Sequence, residues 1–307
     1  MLKIVKTTAY SDMKMGTAGL RKKSKVVLQE NYLENFVQSV FNAIGGVKGL
    51  TFILGGDGRY YNKIAIQKIM KMAAANGMKK MIVGQNGFIS TPASSHVLLM
   101  NKADGGFVLS ASHNPGGING DFGIKYAIAS GGQCPTSVSD KIYEISKTIS
   151  EYKTLDEPDV DLSKLGTQKL GDMEIEVIDP VKDYVDMMEK IFDFAAIKKL
   201  FANGFTMVFD AMNAVTGPYA RKIFEEILGA EKGSVLNYVP LEDFGGLHPD
   251  PNLIYAKSLV DLMYSDKAPD FGAANDGDGD RNMILGKKFF VTPSDSLAIL
   301  TDNYKCI

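Results

Sequence analysis

Three aspartates stand at alternating positions in Asn275-Asp276-Gly277-Asp278-Gly279-Asp280-Arg281. Carboxylates separated by single glycines converge only if the backbone curls tightly, and glycine permits this because it reaches positive φ without steric cost. Oxygen ligands of this kind suit a hard cation such as magnesium. A solvated acidic turn is the plain alternative. A calcium EF-hand is not, because its sharp-turn glycine would fall at Arg281 and its bidentate glutamate at Lys287. Three carboxylates leave the remaining positions around a magnesium ion to water or to a phosphate oxygen, so the loop describes an open metal site.

A second segment, Ser110-Ala111-Ser112-His113-Asn114-Pro115-Gly116-Gly117, follows an apolar run and opens into turn formers. Ser112 is expected to face solvent at a sheet edge. The same residues also make an ordinary polar turn. No G-x-S-x-G elbow surrounds Ser112, and His113 is its immediate neighbour, an awkward place from which to take its proton. The other two histidines have blander readings. His96 lies in the apolar stretch SSHVLLM as a packed or helix-surface residue, and His248 lies in GGLHPDPN as a structural loop residue. A Walker A sequence is absent. Phosphate chemistry is what would join the two segments. A phosphorylated serine would bring about −2 charge and three acceptor oxygens to the metal, and cations would hold the group for transfer. Arg281 beside the aspartates, Lys125 in DFGIK and Arg21 in GTAGLRKK are the candidates, although a basic residue is by default a solvated one.

Apolar runs alternating with helical patterns have to carry these loops. NYLENFVQSVFNAI places Leu33, Phe36, Val37, Val40, Phe41 and Ile44 on one helical face. Thr51–Leu54 then reads as a buried strand ended by glycines. The cycle repeats as the helix KIAIQKIMKMAAAN, the strand KKMIVG, the helix TPASSHVLLMNKA and the strand GGFVLSAS. Alternation of this kind predicts an α/β domain with a mainly parallel sheet, whose ligands gather at strand ends, where GGDGR, SASHNPGG and GQNG lie. Residues 150–180 are polar and weakly periodic and read as the approach to a boundary, with a few extended residues around MEIEVI. PVKDYVDMMEKIFDFAAIKKL then predicts one connecting helix. A second α/β cycle follows: the strand FTMVFD, a helix from Pro218 to about Leu228, LNYVP, a helix over about 253–264, the strand FGAA, NMILG and a last helix from Ser294. The expected fold is thus two consecutive α/β domains with mixed, mainly parallel sheets flanked by helices, divided as 1–180 and 181–307.

The 307 residues fit about two domains at roughly 150 residues each. With 45% hydrophobic and 23% charged residues, a formal charge of −2 and a mean hydropathy near zero, the chain reads as soluble and globular. The neutral balance argues against capture of nucleic acid or anionic membranes and for a small-molecule ligand. Cys134 and Cys306 form no CxxC pair, which fits a reducing, cytoplasmic setting. The first residues lack the apolar core of a secretory signal, and no apolar run reaches the length of a membrane span.

GGFVLSASHNPGGINGDFGIK resembles the active-site segment of the α-phosphohexomutase superfamily, and NDGDGDRNMILG resembles its metal loop. GTAGLRK is similar to the family's GTSGLRK, with Ala18 in place of serine, and GGDGR at 55–59 also fits. The wording is closest to the phosphoglucomutase branch, including the parafusin-like proteins, and the resemblance runs from about residue 14 to about 300. It implies that Ser112 is the phosphoserine and that Asp276, Asp278 and Asp280 hold Mg²⁺ with a phosphoserine oxygen. It places Arg281, Arg21 and Thr17 at phosphate, and makes Lys125 and His113 candidates for moving the hydroxyl proton. The implied reaction converts glucose 1-phosphate to glucose 6-phosphate through glucose 1,6-bisphosphate, which also serves as activator. Charge balances in such a centre: three aspartates and a phosphoserine total about −5, against one Mg²⁺ and three cations.

The family has four domains and this chain resembles two. Its sugar-recognition loop and its second phosphate loop, which orient the far end of the substrate, belong to the other two. The expectation is therefore weak binding and little turnover from a truncated form, exposed interface surface that favours non-native association, and a sugar preference and oligomeric state that the residues do not specify. A parafusin-like phosphoprotein without mutase activity, and a metal-dependent phosphatase using the same loop, are the competing readings.

Overall fold

The computed structural model describes residues 1–16 and 19–306. The chain separates into two units, one of Met1–Ala111 with Gly116–Pro180, the other of Ser112–Pro115 with Val181–Ile307.

The first unit contains β1 (Leu2–Lys6), β2 (Leu20–Lys23), β3 (Thr51–Gly56), β4 (Lys80–Phe88), β5 (Gly105–Leu109), β6 (Asp121–Ile128), β7 (Glu151–Leu155), β8 (Gly166–Leu170) and β9 (Met173–Ile178). Seven of them form one sheet in the order β2-β6-β5-β3-β4-β9-β8. Its centre is parallel, from β5 through β3 and β4 to β9, and its edges are antiparallel. The burial of each strand follows its residues. FILGG of β3 and GGFVL of β5 are buried throughout, as a strand covered on both faces must be. MEIEVI of β9 alternates buried and half-buried, and the polar GTQKL of β8 forms the edge. Helices Tyr32–Ala43, Asn62–Ala75 and Thr91–Met100 cover the sheet. Leu33, Phe36, Val37, Val40 and Phe41 enter the core together, the face their spacing predicts. Ser90 caps the third helix by accepting from the Ala93 N–H.

Residues 150–180 differ from the sequence reading. Rather than a loose approach to a boundary, they supply β7, which pairs with the N-terminal strand β1, and the β8–β9 hairpin that completes the main sheet. Their polarity reflects edge positions, where one face or one side meets water.

GGDGR also takes a different role. Arg59 and Asp57 form a fully buried ion pair at 2.8 Å, and Arg59 donates to the Asp121 carbonyl at 2.8 Å. Asp57 N and Asn62 Nδ2 both donate to the Leu109 carbonyl. The segment therefore ties the end of β5 to the start of β6, the two strands that flank the serine loop.

The second unit contains β10 (Met207–Asp210), β11 (Val235–Leu236), β12 (Phe271–Asn275), β13 (Asn282–Gly286) and β14 (Phe289–Val291), in the order β11-β10-β12-β13-β14. The first three are mutually parallel and the last two antiparallel. Alternate residues of β10 face opposite cores. Val208 packs with Leu259, Met263, Met283 and Leu285, whereas Met207 and Phe209 pack with Ala220, Ala273 and Phe224. The single connecting helix is instead two, Pro180–Ile191 and Phe194–Ala202, because Asp193 caps the second by accepting from Ala196 N. The helix at Pro218 begins at Thr216 and continues as a π-helix over Arg221–Ile227, and the one expected from 253 begins at Lys257.

Candidate active site

The aspartate loop is a hairpin turn. β12 and β13 pair antiparallel with Asn275 opposite Asn282, so Asp276–Arg281 forms the whole connection. Asn275 Nδ2 and Asp276 N both donate to the Arg281 carbonyl and close its neck. Gly279 takes the left-handed conformation (φ 79°) that turns the loop inward. Asp276 Oδ1 accepts from Gly279 N and Arg281 N, each at 3.1 Å. Gly277 N donates to the Pro249 carbonyl, which fixes the loop from outside.

These bonds gather the carboxylates. Asp276, Asp278 and Asp280 each place an oxygen within 4.8 Å of the others, with the first two fully buried and the third exposed. Burial, then repulsion from Asp278 and Asp280, pushes the Asp276 carboxyl up to about 7 against the hydrogen bonds from Ser112 and Arg281 N. All-oxygen donors, and a carboxyl raised by burial and then by its neighbours' charge, both fit a hard divalent cation.

β5 leads directly into Ser112. It lies inside the sheet, between β6 and β3, so the serine does not emerge at an edge, and it is 1% exposed rather than solvent-facing. Beside this turn Gly123 of β6 passes so close that a Cβ would stand 2.0 Å from the Ser110 carbonyl oxygen. Ser112 is itself left-handed (φ 54°), a conformation costing an L-residue roughly 1–2 kcal/mol. Its Oγ donates to Asp276 Oδ2 at 2.8 Å.

His113 and Arg281 complete this cluster. Arg281 Nη1 lies 2.7 Å from His113 Nδ1. A guanidinium only donates, so Nδ1 accepts and the ring proton of a neutral His113 belongs on Nε2. Ser112 Oγ, at 3.4 Å from the same nitrogen, meets a lone pair already engaged. In this arrangement it is Asp276, not His113, that takes the serine hydrogen bond.

The structure thus brings together Ser112, His113, Asp276, Asp278, Asp280 and Arg281 in the second unit. Lys125 and Arg21 belong to the first. Lys125 is 4% exposed, not a solvated surface group, and its Nζ donates to Thr91 Oγ1 at 3.3 Å. It lines a cavity of about 700 Å³ with Lys14, Gly16, Gly19, Gln133 and Cys134. Arg21, on β2, has a buried Nε that makes no hydrogen bond among the described residues. Thr17 lies outside the described residues. His248, read as a structural loop residue, lies in a loop and makes two ring contacts there. Its ring stacks on Tyr255 (4.1 Å, 10°) and stands 6.3 Å from the His113 ring. Only the H-P-D-P-N spelling of its loop, rich in turn formers, offered a signal.

Residues 12–153 match the family model described as phosphoglucomutase/phosphomannomutase, alpha/beta/alpha domain I, and residues 182–288 match that of domain II. A phosphoglucomutase of Rhizobium radiobacter is 59% identical over 99% of this chain and 56% of its own length. A chloroplastic phosphoglucomutase of Arabidopsis thaliana is 54% identical over 98% of this chain and 49% of its own. Among solved structures, the open form of the exocytosis-sensitive phosphoprotein pp63/parafusin from Paramecium superimposes with a TM-score of 0.96 at 46% identity, over 99% of this chain and 58% of that one. The chain spans about half the length of the curated relatives it matches.

Proposed function

Because the chain belongs to the phosphoglucomutase/phosphomannomutase family, we propose that it carries the phosphoryl-transfer half of a phosphoglucomutase-type isomerase, acting between glucose 1-phosphate and glucose 6-phosphate through a phosphorylated Ser112. The observation that carries this reading is the hydrogen bond from Ser112 Oγ to Asp276 Oδ2 within the three-carboxylate loop. Ser112 is the acceptor and later the donor of the phosphoryl group. Asp276, Asp278 and Asp280 would hold Mg²⁺, which when bound supplies a Lewis acid at a phosphoryl oxygen. Arg281, held at His113, offers its remaining N–H groups to phosphate. Arg21, with an unsatisfied buried Nε, and Thr17 are the proposed phosphate contacts of the first unit. Lys125, buried and donating to Thr91, is suited to moving the substrate hydroxyl proton. His113 is less suited through Nδ1, which Arg281 occupies, and its role in proton transfer would fall to Nε2.

Glucose 1,6-bisphosphate is the proposed activator, since it can load Ser112 directly. A cytoplasmic setting is proposed from its two unpaired cysteines. No described helix is long and apolar enough to cross a membrane.

Intact mass after incubation with glucose 1,6-bisphosphate and Mg²⁺ tests the reading. A gain of one phosphate, abolished in Ser112→Ala, is expected. No gain at any Mg²⁺ concentration would overturn it. Uptake without any conversion in a coupled glucose 1-phosphate assay is the result a phosphorylatable, non-catalytic protein would give.

A further inference from the structure

Arg281 is half exposed, and a long side chain in water keeps one geometry only if something holds it. Its contacts are few. Nη1 meets His113 Nδ1 at 2.7 Å, and Nε stands 4.0 Å from Asp280, a distance too long for a hydrogen bond. What orients the His113 ring therefore orients the arginine.

His113 lies on the short 112–115 turn and needs a neighbour to fix its ring angle. His248 is such a neighbour, with ring centroids 6.3 Å apart and planes inclined by 35°, inside the range of productive aromatic contacts. His248 is itself pinned from the far side by Tyr255, stacked at 4.1 Å and nearly parallel. Both His248 contacts are ring contacts, and its side chain makes no hydrogen bond among the described residues; Nδ1 is buried and unsatisfied. A buried imidazole nitrogen without a partner costs about 1–3 kcal/mol, so hydrogen bonding is not what this ring contributes here.

The backbone under the stack is rigid. Asn252 Oδ1 accepts from Ile254 N and Tyr255 N, and Asn252 Nδ2 donates to Asp250. Next to His248, the Pro249 carbonyl holds Gly277 N of the metal loop. One short loop thus touches both halves of the cluster, the aspartates through its backbone and the His113–Arg281 pair through its rings.

We propose that His248 is a positioning residue, acting through the shape of its ring: held by Tyr255, it sets the orientation of His113 and through it the phosphate-directed face of Arg281. This rests on the proposed phosphoryl-transfer reading, but its first test does not. Four variants of the full chain, His248→Phe, His248→Ala, Tyr255→Phe and Tyr255→Ala, are compared by ¹⁵N NMR of the His113 ring and the Arg281 side chain, with melting temperature as the check on folding. The two Phe variants are expected to keep the single Nε2–H tautomer of His113 and an ordered Arg281. The two Ala variants are expected to lose both, while the rest of the amide spectrum is unchanged. Phosphate uptake by Ser112 should fall about 100-fold in the Ala variants, the scale expected when a group is misplaced by about 1 Å, and stay near wild type in the Phe variants. If His248→Phe behaves like His248→Ala, the ring acts through its nitrogens and the proposal is wrong. Unchanged His113 and Arg281 signals in both Ala variants would also overturn it. Should the wild-type chain take up no phosphate, the phosphoryl-transfer reading fails, and the NMR comparison still decides this one.

Discussion

Ser112 Oγ and Asp276 Oδ2 lie 2.8 Å apart although 164 positions separate them in the chain. A left-handed turn at the end of β5 presents the hydroxyl, and a hairpin turn between β12 and β13 presents the carboxylate. Backbone N–H groups of the hairpin hold the carboxylate in place, so it is prepared in advance of any ligand.

Charge in the loop makes stability depend on pH in an unusual direction. The Asp276 carboxyl titrates at about 7 in the folded chain against an ordinary value near 3.8. Between these, the folded state binds the extra proton, so this group's contribution is fully present below about pH 3.8 and is lost as pH rises through 7. Metal-free chain should therefore lose urea resistance from pH 5 to pH 8 relative to Asp276→Asn. Added Mg²⁺ should restore it at pH 8 and do little at pH 5, where protons compete.

Neutralising one carboxylate should weaken the cation site more than the fold. Asp278→Asn keeps the shape, removes one charge and relieves Asp276. The expected result is a clear loss of Mg²⁺ affinity by calorimetry, with stability in EDTA equal to or above that of the parent.

Replacing Ser112 separates its hydroxyl from its backbone strain. Ser112→Ala and Ser112→Gly both lose the bond to Asp276 and both should fail to take up phosphate. Only glycine relaxes the positive φ, so Ser112→Gly should be more stable than Ser112→Ala by about 1 kcal/mol in denaturant titrations.

Two structural positions next to the serine turn should tolerate little. Gly123→Ala would place a methyl 2.0 Å from the Ser110 carbonyl oxygen and force the backbone apart. A loss of about 1–3 kcal/mol or more is expected. Arg59→Met would leave Asp57 charged and buried without its partner, at a cost of about 3–5 kcal/mol. Double substitution Asp57→Asn with Arg59→Met should recover part of that loss, as measured by thermal melts.

Much of the site and fold is legible in residue types alone. Alternating aspartates and glycines mark a loop that can gather its carboxylates before any element is placed, because side-chain chemistry and backbone freedom are local properties. Leu33, Phe36, Val37, Val40 and Phe41 mark a helix face for the same reason, since the 3.6-residue period is written along the chain. The rest depended on tertiary structure. Ser112 is buried rather than exposed, bonded to Asp276 from a distant part of the chain, and such a meeting is not a local property. Residues 150–180 look loose because edge strands take polar residues. Arg59 and Lys125 carry charges that sequence places in solvent by default, and only packing reveals the partners that let them be buried. The ring contacts of His248 with His113 and Tyr255 were not legible because stacking joins residues by shape across the fold, and shape leaves no spacing to read. Sequence by itself determined which atoms could bind a cation and accept a phosphate. Folding decided which of them meet, because hydrogen bonds and ring contacts act over a few ångströms, whatever the distance along the chain.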